Sequence, residues 1–243
     1  MRIAVTGSIA TDHLMTFPGK FVDNLMPDNL ANLSISFLVD ALEVRRGGVA
    51  PNISFGLAQL GHEPVLIGAV GRDFDTDYRS WLDRHGVETS AVLVSDLKHT
   101  ARFLCTTDAD QNQIASFYTG AMAEARDIEL APILRRFPDV ELVVISPNDP
   151  EAMLRHTEEA RRLNLPFMAD PSQQLTYMDG PEIRGLIEGA TYLVTNHYEK
   201  GLLEQKTGWS DAEVLDRVGL RITTKGAEGC IIESRGEEPI IVH

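Results

Sequence analysis

This sequence is poor in cysteine, in basic charge and in long apolar runs, and each shortage removes a class of protein. Only Cys105 and Cys230 occur, each inside a strand-like run, so no disulfide framework is expected and a reducing, cytoplasmic compartment is the default. Lysine and arginine total 22 against 36 aspartates and glutamates, a formal net charge of −14. That balance argues against general binding to nucleic acid, which needs a basic surface. It leaves room for a small anionic ligand, because local charge can oppose the global sign. No stretch approaches the roughly 18 consecutive apolar residues that a membrane span requires. The opening "MRIAVTGSIA" enters a strand pattern directly and lacks a signal peptide's apolar core and cleavage site. Familiar catalytic signatures are missing too. There is no Gly-Lys-Ser/Thr phosphate loop, no zinc or metalloprotease pattern and no Gly-x-Ser-x-Gly. The seven histidines form no ligand-spaced pair.

What is present is an alternation. The 243 residues, 43% of them hydrophobic, suit one large domain, or one domain plus a small appendage, with a sizeable core. Apolar runs of about five residues alternate with longer amphipathic stretches, the pattern of βα units around a mostly parallel sheet. "RIAVTG" reads as the first strand, and "VAPNISFGLAQLG" as a helix stopped by Gly61. "PVLIGAVG" is expected to be one buried strand, followed by a helix, "DTDYRSWLDRHG", closed by Gly86. "ELVVIS", "PFMAD", "TYLVT" and "LRITT" are further strands, separated by helical stretches such as "PEAMLRHTEEARRLN" and "YEKGLLEQKTG". "CIIE" and "PIIV" flank "SRGEE" as an antiparallel hairpin with its glycine in the loop. Two segments break the rhythm, about 31–46 ("NLSISFLVDALEVRRGG") and 100–118 ("TARFLCTTDADQNQIASFY"). Each reads as a pair of strands without a helix, and together they predict a small antiparallel lid beside the α/β core.

Four motifs bear on chemistry. In "TGSIATDHLM", Gly7, Ser8 and Asp12 are placed in a loop after the first strand, where ligands of parallel α/β sheets bind. A carboxylate there can accept two hydrogen bonds from sugar hydroxyls, although an aspartate in a turn also serves as a plain cap. In "RRGGVAPNISFG", Gly47 and Gly48 open a helix with Asn52 in its first turn. They permit close approach of a ligand, or simply start the helix. In "TNHYEKGLL", Asn196 and Glu199 have the spacing of a capping box. The same pair could sit beside nucleotide phosphates, with Glu199 holding Mg²⁺ through water. In "TTKGAEGC", a strand leads into Gly226-x-x-Gly229, which hugs a nucleotide or makes a turn. Phe103 and Phe117, on the second extra segment, would sandwich a flat base if they face a cavity and would pack in the core if they do not.

Taken in order, these motifs resemble the ribokinase-like (PfkB) family of carbohydrate and nucleoside kinases. "GGVAPNISFGLAQLGHEPVLIGAVGRDF" is similar to its first signature, "TNHYE" to its Asn-x-x-Glu motif and "TTKGAEG" to its Thr-x-Gly-x-x-Gly turn. Finer stretches such as "VTGSIATDHLM", "SISFLVD", "HTARFLCTTD", "QIASFYTGAM", "NDPEAM" and "ADPSQQL" are similar to the actinobacterial adenosine kinases. The resemblance implies an α/β, ribokinase-like fold over residues 1–243 with a small β lid inserted. It implies transfer of the γ-phosphoryl of ATP, with Mg²⁺, to the ribose 5′-hydroxyl of adenosine, a step of purine salvage. Asp12 and Asn52 would bind ribose hydroxyls beside Ser8 and Gly48. Phe103 and Phe117 would stack on adenine, with Gln173 and Gln174 in the same pocket. Asn196, Thr224, Gly226 and Gly229 would lie along ATP, and Glu199 would order Mg²⁺ through water. The lid strand "NLSISF" would pair two subunits into a homodimer and lend Ser36 to the neighbour.

One part of the family pattern has no counterpart in these residues. The Asp-Thr-x-Gly-Ala-Gly-Asp run, which supplies an anion hole at a helix N-terminus and the general base, is absent. No catalytic base is therefore assigned, and the sequence reads as a kinase domain truncated before its catalytic loop. Three other readings stay open: a sugar kinase of the same family, a nucleoside-binding homologue without turnover, and a fragment that does not fold alone.

Overall fold

Five residues, Arg2–Thr6, form the strand from which the fold grows, and four of them are buried. This strand, β1, leads to β2 (Ala10–Thr16), the short helix α1 (Phe21–Asn24), β3 (Ala41–Gly47), α2 (Val49–Gln59), β4 (Glu63–Ile67) and β5 (Ala69–Gly71). Next come α3 (Tyr78–Arg84), β6 (Leu93–Ser95), β7 (Ala101–Thr107), β8 (Gln113–Tyr118), α4 (Leu130–Arg136), β9 (Val140–Ile145) and α5 (Pro150–Arg162). The last third holds β10 (Phe167–Ala169), α6 (Gly180–Ile187), β11 (Tyr192–Asn196), α7 (His197–Thr207), α8 (Asp211–Leu215), β12 (Leu220–Thr224), β13 (Cys230–Glu233) and β14 (Ile240–Val242). The structure, a computed structural model, describes residues 1–24 and 34–243.

The main sheet has eight strands in the order β14-β13-β12-β11-β10-β9-β1-β4. From β4 to β12 the pairing is parallel, and β12-β13-β14 closes it with antiparallel pairs. Near-continuous apolar strands such as "VELVVI" are what a sheet covered on both faces demands. One core gathers Val143, Ile145, Met153, Phe167 and Leu193, and a second gathers Val5, Leu66, Phe74, Leu82 and Val144. Each such fully buried side chain contributes roughly 1.5–3 kcal/mol relative to exposure. Three helices start on reciprocal caps, Asp179 with Glu182, Asn196 with Glu199 and Ser210 with Glu213. Toward the antiparallel edge, Val194, Ile222, Ile232 and Ile240 are register partners across four strands. All four remain at least partly exposed.

The lid is a separate four-stranded sheet, β3-β2-β7-β8. Its predicted pair in 100–118 is present as β7 and β8, but the rest differs from expectation. Asp12 lies on a strand, β2, at the centre of the lid, and not in a loop. The run "ATDHLMT" shows little alternation, and its neighbours β3 and β7 come from distant parts of the chain. Among the described residues of the stretch 31–46, one strand forms instead of two. Residues 34–39 carry no strand and have no sheet partner among the described residues, and 31–33 lie outside them. "PVLIGAVG" divides into β4 and β5, and β5 pairs with β6 in a sheet of its own. Gly68 makes the bend, where a Cβ would lie 2.7 Å from the Gly7 carbonyl oxygen.

Candidate functional site

Two clefts open at the carboxyl ends of the parallel strands, where this architecture places ligands. The first is a cavity of about 340 Å³ between the lid and the turns after β1, β9 and β10. It is lined by Ser8, Asp12, Gly48, Asn52, Phe103, Phe117, Gln173 and Gln174, with Ala10, Val49, Met122 and Pro147. Apart from Ser36, the structure brings together every residue expected around the nucleoside. Ser36 is exposed on the strandless segment and does not reach this cavity within its own chain.

The lid's register explains the convergence. Asp12 on β2 is paired with Phe103 on β7, and Phe103 with Phe117 on β8. Matched positions on neighbouring strands point to the same face, so a carboxylate and two rings hang over one space. Burial pushes the Asp12 carboxyl above its ordinary range, while the nearby His13 and Arg45 act the other way. Below it, the Ser8 hydroxyl accepts from the Val49 N–H at 3.3 Å, and the Ser8 N–H donates to the Pro147 carbonyl at 2.8 Å. Gly48 takes φ +95°, and a Cβ there would lie 2.6 Å from the Ser8 carbonyl oxygen. Gln174 is oriented by chemistry. Its Nε2 donates to the Asn148 carbonyl at 2.7 Å, so Oε1 is the end left as an acceptor. The loop that carries it turns at Ser172, with φ +44°.

The second cleft, of about 590 Å³, lies beyond β11 and β12. Asn196, Thr224 and Gly226 line it with His197, Tyr198, Lys225 and Glu228. Gly229 was expected here and does not line it. A Cβ on Gly229 would meet the Val242 carbonyl oxygen at 1.9 Å, so this glycine admits β14 to close approach. Asn196 and Glu199 form the reciprocal cap of α7: each side chain accepts the other's backbone N–H at 2.8 Å. A residue given no role by its sequence context joins them. Asp170, just after β10, is pushed up to about 7, first by burial and then by the charge of Glu199.

Among the described residues no group of three or more His, Cys, Asp or Glu could hold a metal. Asp170 nevertheless feels the charge of Glu199, and a pair of carboxylates is the donor type a hard cation takes. Mg²⁺ is usually held by one or two carboxylates, water and phosphate oxygens. A third cleft, at the opposite edge of the sheet, is lined by Arg2, Glu63 and Phe137. Its Arg2 is already paired with Glu63 and Asp139, and it holds none of the expected residues.

The pattern described as pfkB family carbohydrate kinase matches residues 10–242. The chain belongs to this family. As a pfkB-family chain it is similar to the Burkholderia thailandensis nucleoside kinase, whose structure in complex with inosine matches with a TM-score of 0.79 at 34% identity. That match covers 99% of this chain and 75% of the Burkholderia one. The nucleoside kinase of Methanocaldococcus jannaschii is 28% identical over 193 residues, which are 79% of this chain and 62% of that protein. Its crystal structure has the same ribokinase-family fold, with a TM-score of 0.85 at 24% identity over 99% of this chain and 75% of that one. The pfkB-family chain therefore spans less than two thirds of the length of this curated relative.

Proposed function

We propose that this chain builds the nucleoside and ATP pockets of an adenosine kinase-like phosphotransferase. In the reaction, the ribose 5′-hydroxyl oxygen bonds to the γ-phosphorus of ATP, the bond to the β,γ-bridging oxygen breaks, and the hydroxyl proton leaves to a base. The products are AMP and ADP. Asp12 and Asn52 hold the ribose hydroxyls, Ser8 and Gly48 shape the pocket floor, and Phe103 and Phe117 stack on the base. Gln173 and Gln174 meet its edge. Asn196, Thr224 and Gly226 border the nucleotide phosphates, and Gly229 keeps that turn closed against β14. Glu199 would hold Mg²⁺ through water, with Asp170 as a second carboxylate close enough to feel its charge. When bound, Mg²⁺ neutralises phosphate charge, the main demand of phosphoryl transfer.

The observation that carries this reading is the row Asp12–Phe103–Phe117 over one cavity. A bare sugar would use the carboxylate and leave the rings idle, which is why a nucleoside is favoured over the sugar-kinase alternative. The inosine complex of the Burkholderia relative supports a purine nucleoside. A structure of that relative in complex with ADP-inosine supports a neighbouring adenine-nucleotide site. The proton acceptor and the anion hole are assigned to no residue here, because the Asp-Thr-x-Gly-Ala-Gly-Asp run is not among the 243 residues. Binding and turnover are thus separate questions for this chain. Exposed Leu42 and Val44 on β3 suit a homodimer formed through the lid, with Ser36 reaching the partner's pocket. The deciding experiment is calorimetric titration with adenosine, inosine and ribose, beside an ATP- and Mg²⁺-dependent assay for AMP. Binding of ribose as tight as that of the nucleosides would transfer the proposal to a sugar kinase.

A further inference from the structure

The turn that seats Asp12 is held from outside the cavity. Tyr78, the first residue of α3, is buried, and its hydroxyl donates to the Gly47 carbonyl oxygen at 2.8 Å. Its ring is fixed against Phe74 and Trp81, with centroids 5.2 Å and 6.3 Å away. Burial, with Asp12 adding and Arg46 opposing, keeps the phenol well above its ordinary range, so it stays a neutral donor. The same end of β3 is anchored a second time. Arg46 pairs with Asp77, the residue before α3, and lies over the Trp81 ring at 5.0 Å.

The carbonyl that Tyr78 grips belongs to the residue on which Asp12 rests. A Cβ on Gly47 would lie 2.7 Å and 2.8 Å from the two Asp12 carboxylate oxygens. The carboxylate therefore sits directly against the bare Gly47 Cα. The next residue, Gly48, lines the cavity and caps α2, the helix that carries Asn52. Small movement of Gly47 would displace the carboxylate, the Gly48 backbone and the start of α2 together. Tyr78 itself does not line the cavity.

We propose that Tyr78 is a positioning residue for the sugar: through Gly47 it fixes Asp12 and Gly48 for the ribose hydroxyls without touching the nucleoside. The inference rests on the nucleoside reading above and adds a residue to it. Loss of the hydroxyl would leave the buried Gly47 carbonyl without its partner, a state that costs more than the bond itself contributes. The turn would relax toward another donor and carry the seat of Asp12 with it.

The test compares adenosine with 2′,3′-dideoxyadenosine, which lacks the hydroxyls that Asp12 would hold. Both are titrated calorimetrically into the whole chain and into Tyr78→Phe, which keeps the ring and its packing. The whole chain should favour adenosine. Tyr78→Phe should bind adenosine about fivefold to tenfold more weakly, the scale of one hydrogen bond, and bind the dideoxy compound unchanged. Substituting 4-aminophenylalanine at position 78 restores an N–H donor and should recover the preference. Asp77→Ala, which releases only the Arg46 anchor, should leave it intact. Equal weakening of both compounds in a folded Tyr78→Phe would show a general structural role and overturn the proposal, as would an unchanged preference. Failure of the unsubstituted chain to bind adenosine would instead overturn the nucleoside reading itself.

Discussion

Asp12 and Phe103 are register partners on the parallel strands β2 and β7, so a carboxylate and an aromatic ring share one face of the lid. Phe117 extends the row on β8 and is half exposed over the cavity. If the row reads a nucleoside, its two ends act on different parts of the ligand. Phe117→Ala should weaken adenosine by roughly 1–3 kcal/mol, the usual value of a base on an aromatic ring, and leave ribose unchanged. Calorimetry with the two ligands checks this, and equal losses for both would detach Phe117 from the base.

Asp12→Asn should act at the other end. Hydrogen bonds to a charged group contribute roughly 1.5–3 kcal/mol, and the amide keeps the shape while losing the charge. Nucleoside affinity should fall by about that amount. The free chain should not lose stability, because burial disfavours the Asp12 charge and the substitution removes it. A fall in stability with unchanged affinity would make Asp12 a structural residue.

These sites were legible in part, and the parts differ in kind. Strands of the main sheet could be read because burial on both faces leaves unbroken apolar runs such as "VELVVI". The β2 strand could not, since its sheet partners are remote and half its residues are polar. For that reason the sequence pattern around Asp12 reads as a loop, whereas the motif order already predicts its neighbourhood with Asn52 and the phenylalanines. Gly229 shows the opposite failure: a motif position whose geometry serves the close passage of β14. Asp170 carried no local signal at all. Its perturbation comes first from burial and then from the charge of Glu199 on another element, both consequences of the fold that no spacing records.

Asn196 and Glu199 combine a cap with a proposed metal site, and substitutions can separate the two. Asn196→Ala removes the acceptor for the Glu199 N–H and should cost about 1 kcal/mol of stability, as lost caps do. Glu199→Gln retains an oxygen for the Asn196 N–H and should change stability by less than about 0.5 kcal/mol. It removes the charge, so Mg²⁺-dependent ATP binding should weaken. Thermal unfolding and ATP titration with and without Mg²⁺ measure both effects. A Glu199→Gln chain that binds Mg²⁺–ATP normally would reduce the pair to a helix cap.

A fully buried histidine and a partly buried aspartate should make stability depend on pH in opposite senses over one window. His156 is fully buried, with Nε2 3.1 Å from the Ile128 carbonyl and Nδ1 2.8 Å from the Thr6 hydroxyl. The carbonyl can only accept, so Nε2 carries the proton and Nδ1 accepts from Thr6. Burial lowers this histidine from 6.5 to about 4. The unfolded chain therefore takes up a proton first, and the His156 contribution, complete above 6.5, is lost as pH falls toward 4. Asp170 is raised from 3.8 to about 7. Its folded form takes up the proton first, so its contribution is complete below 3.8 and is lost as pH rises toward 7. Each effect amounts to at most about 1.4 kcal/mol per pH unit, and between pH 4 and 6.5 they offset. His156→Gln should uncover the Asp170 effect, with stability rising relative to the unsubstituted chain as pH falls through that window. Asp170→Asn should uncover the His156 effect, with stability falling. Urea unfolding at half-unit pH steps measures all three curves, and parallel curves would show that neither group titrates differently in the folded chain.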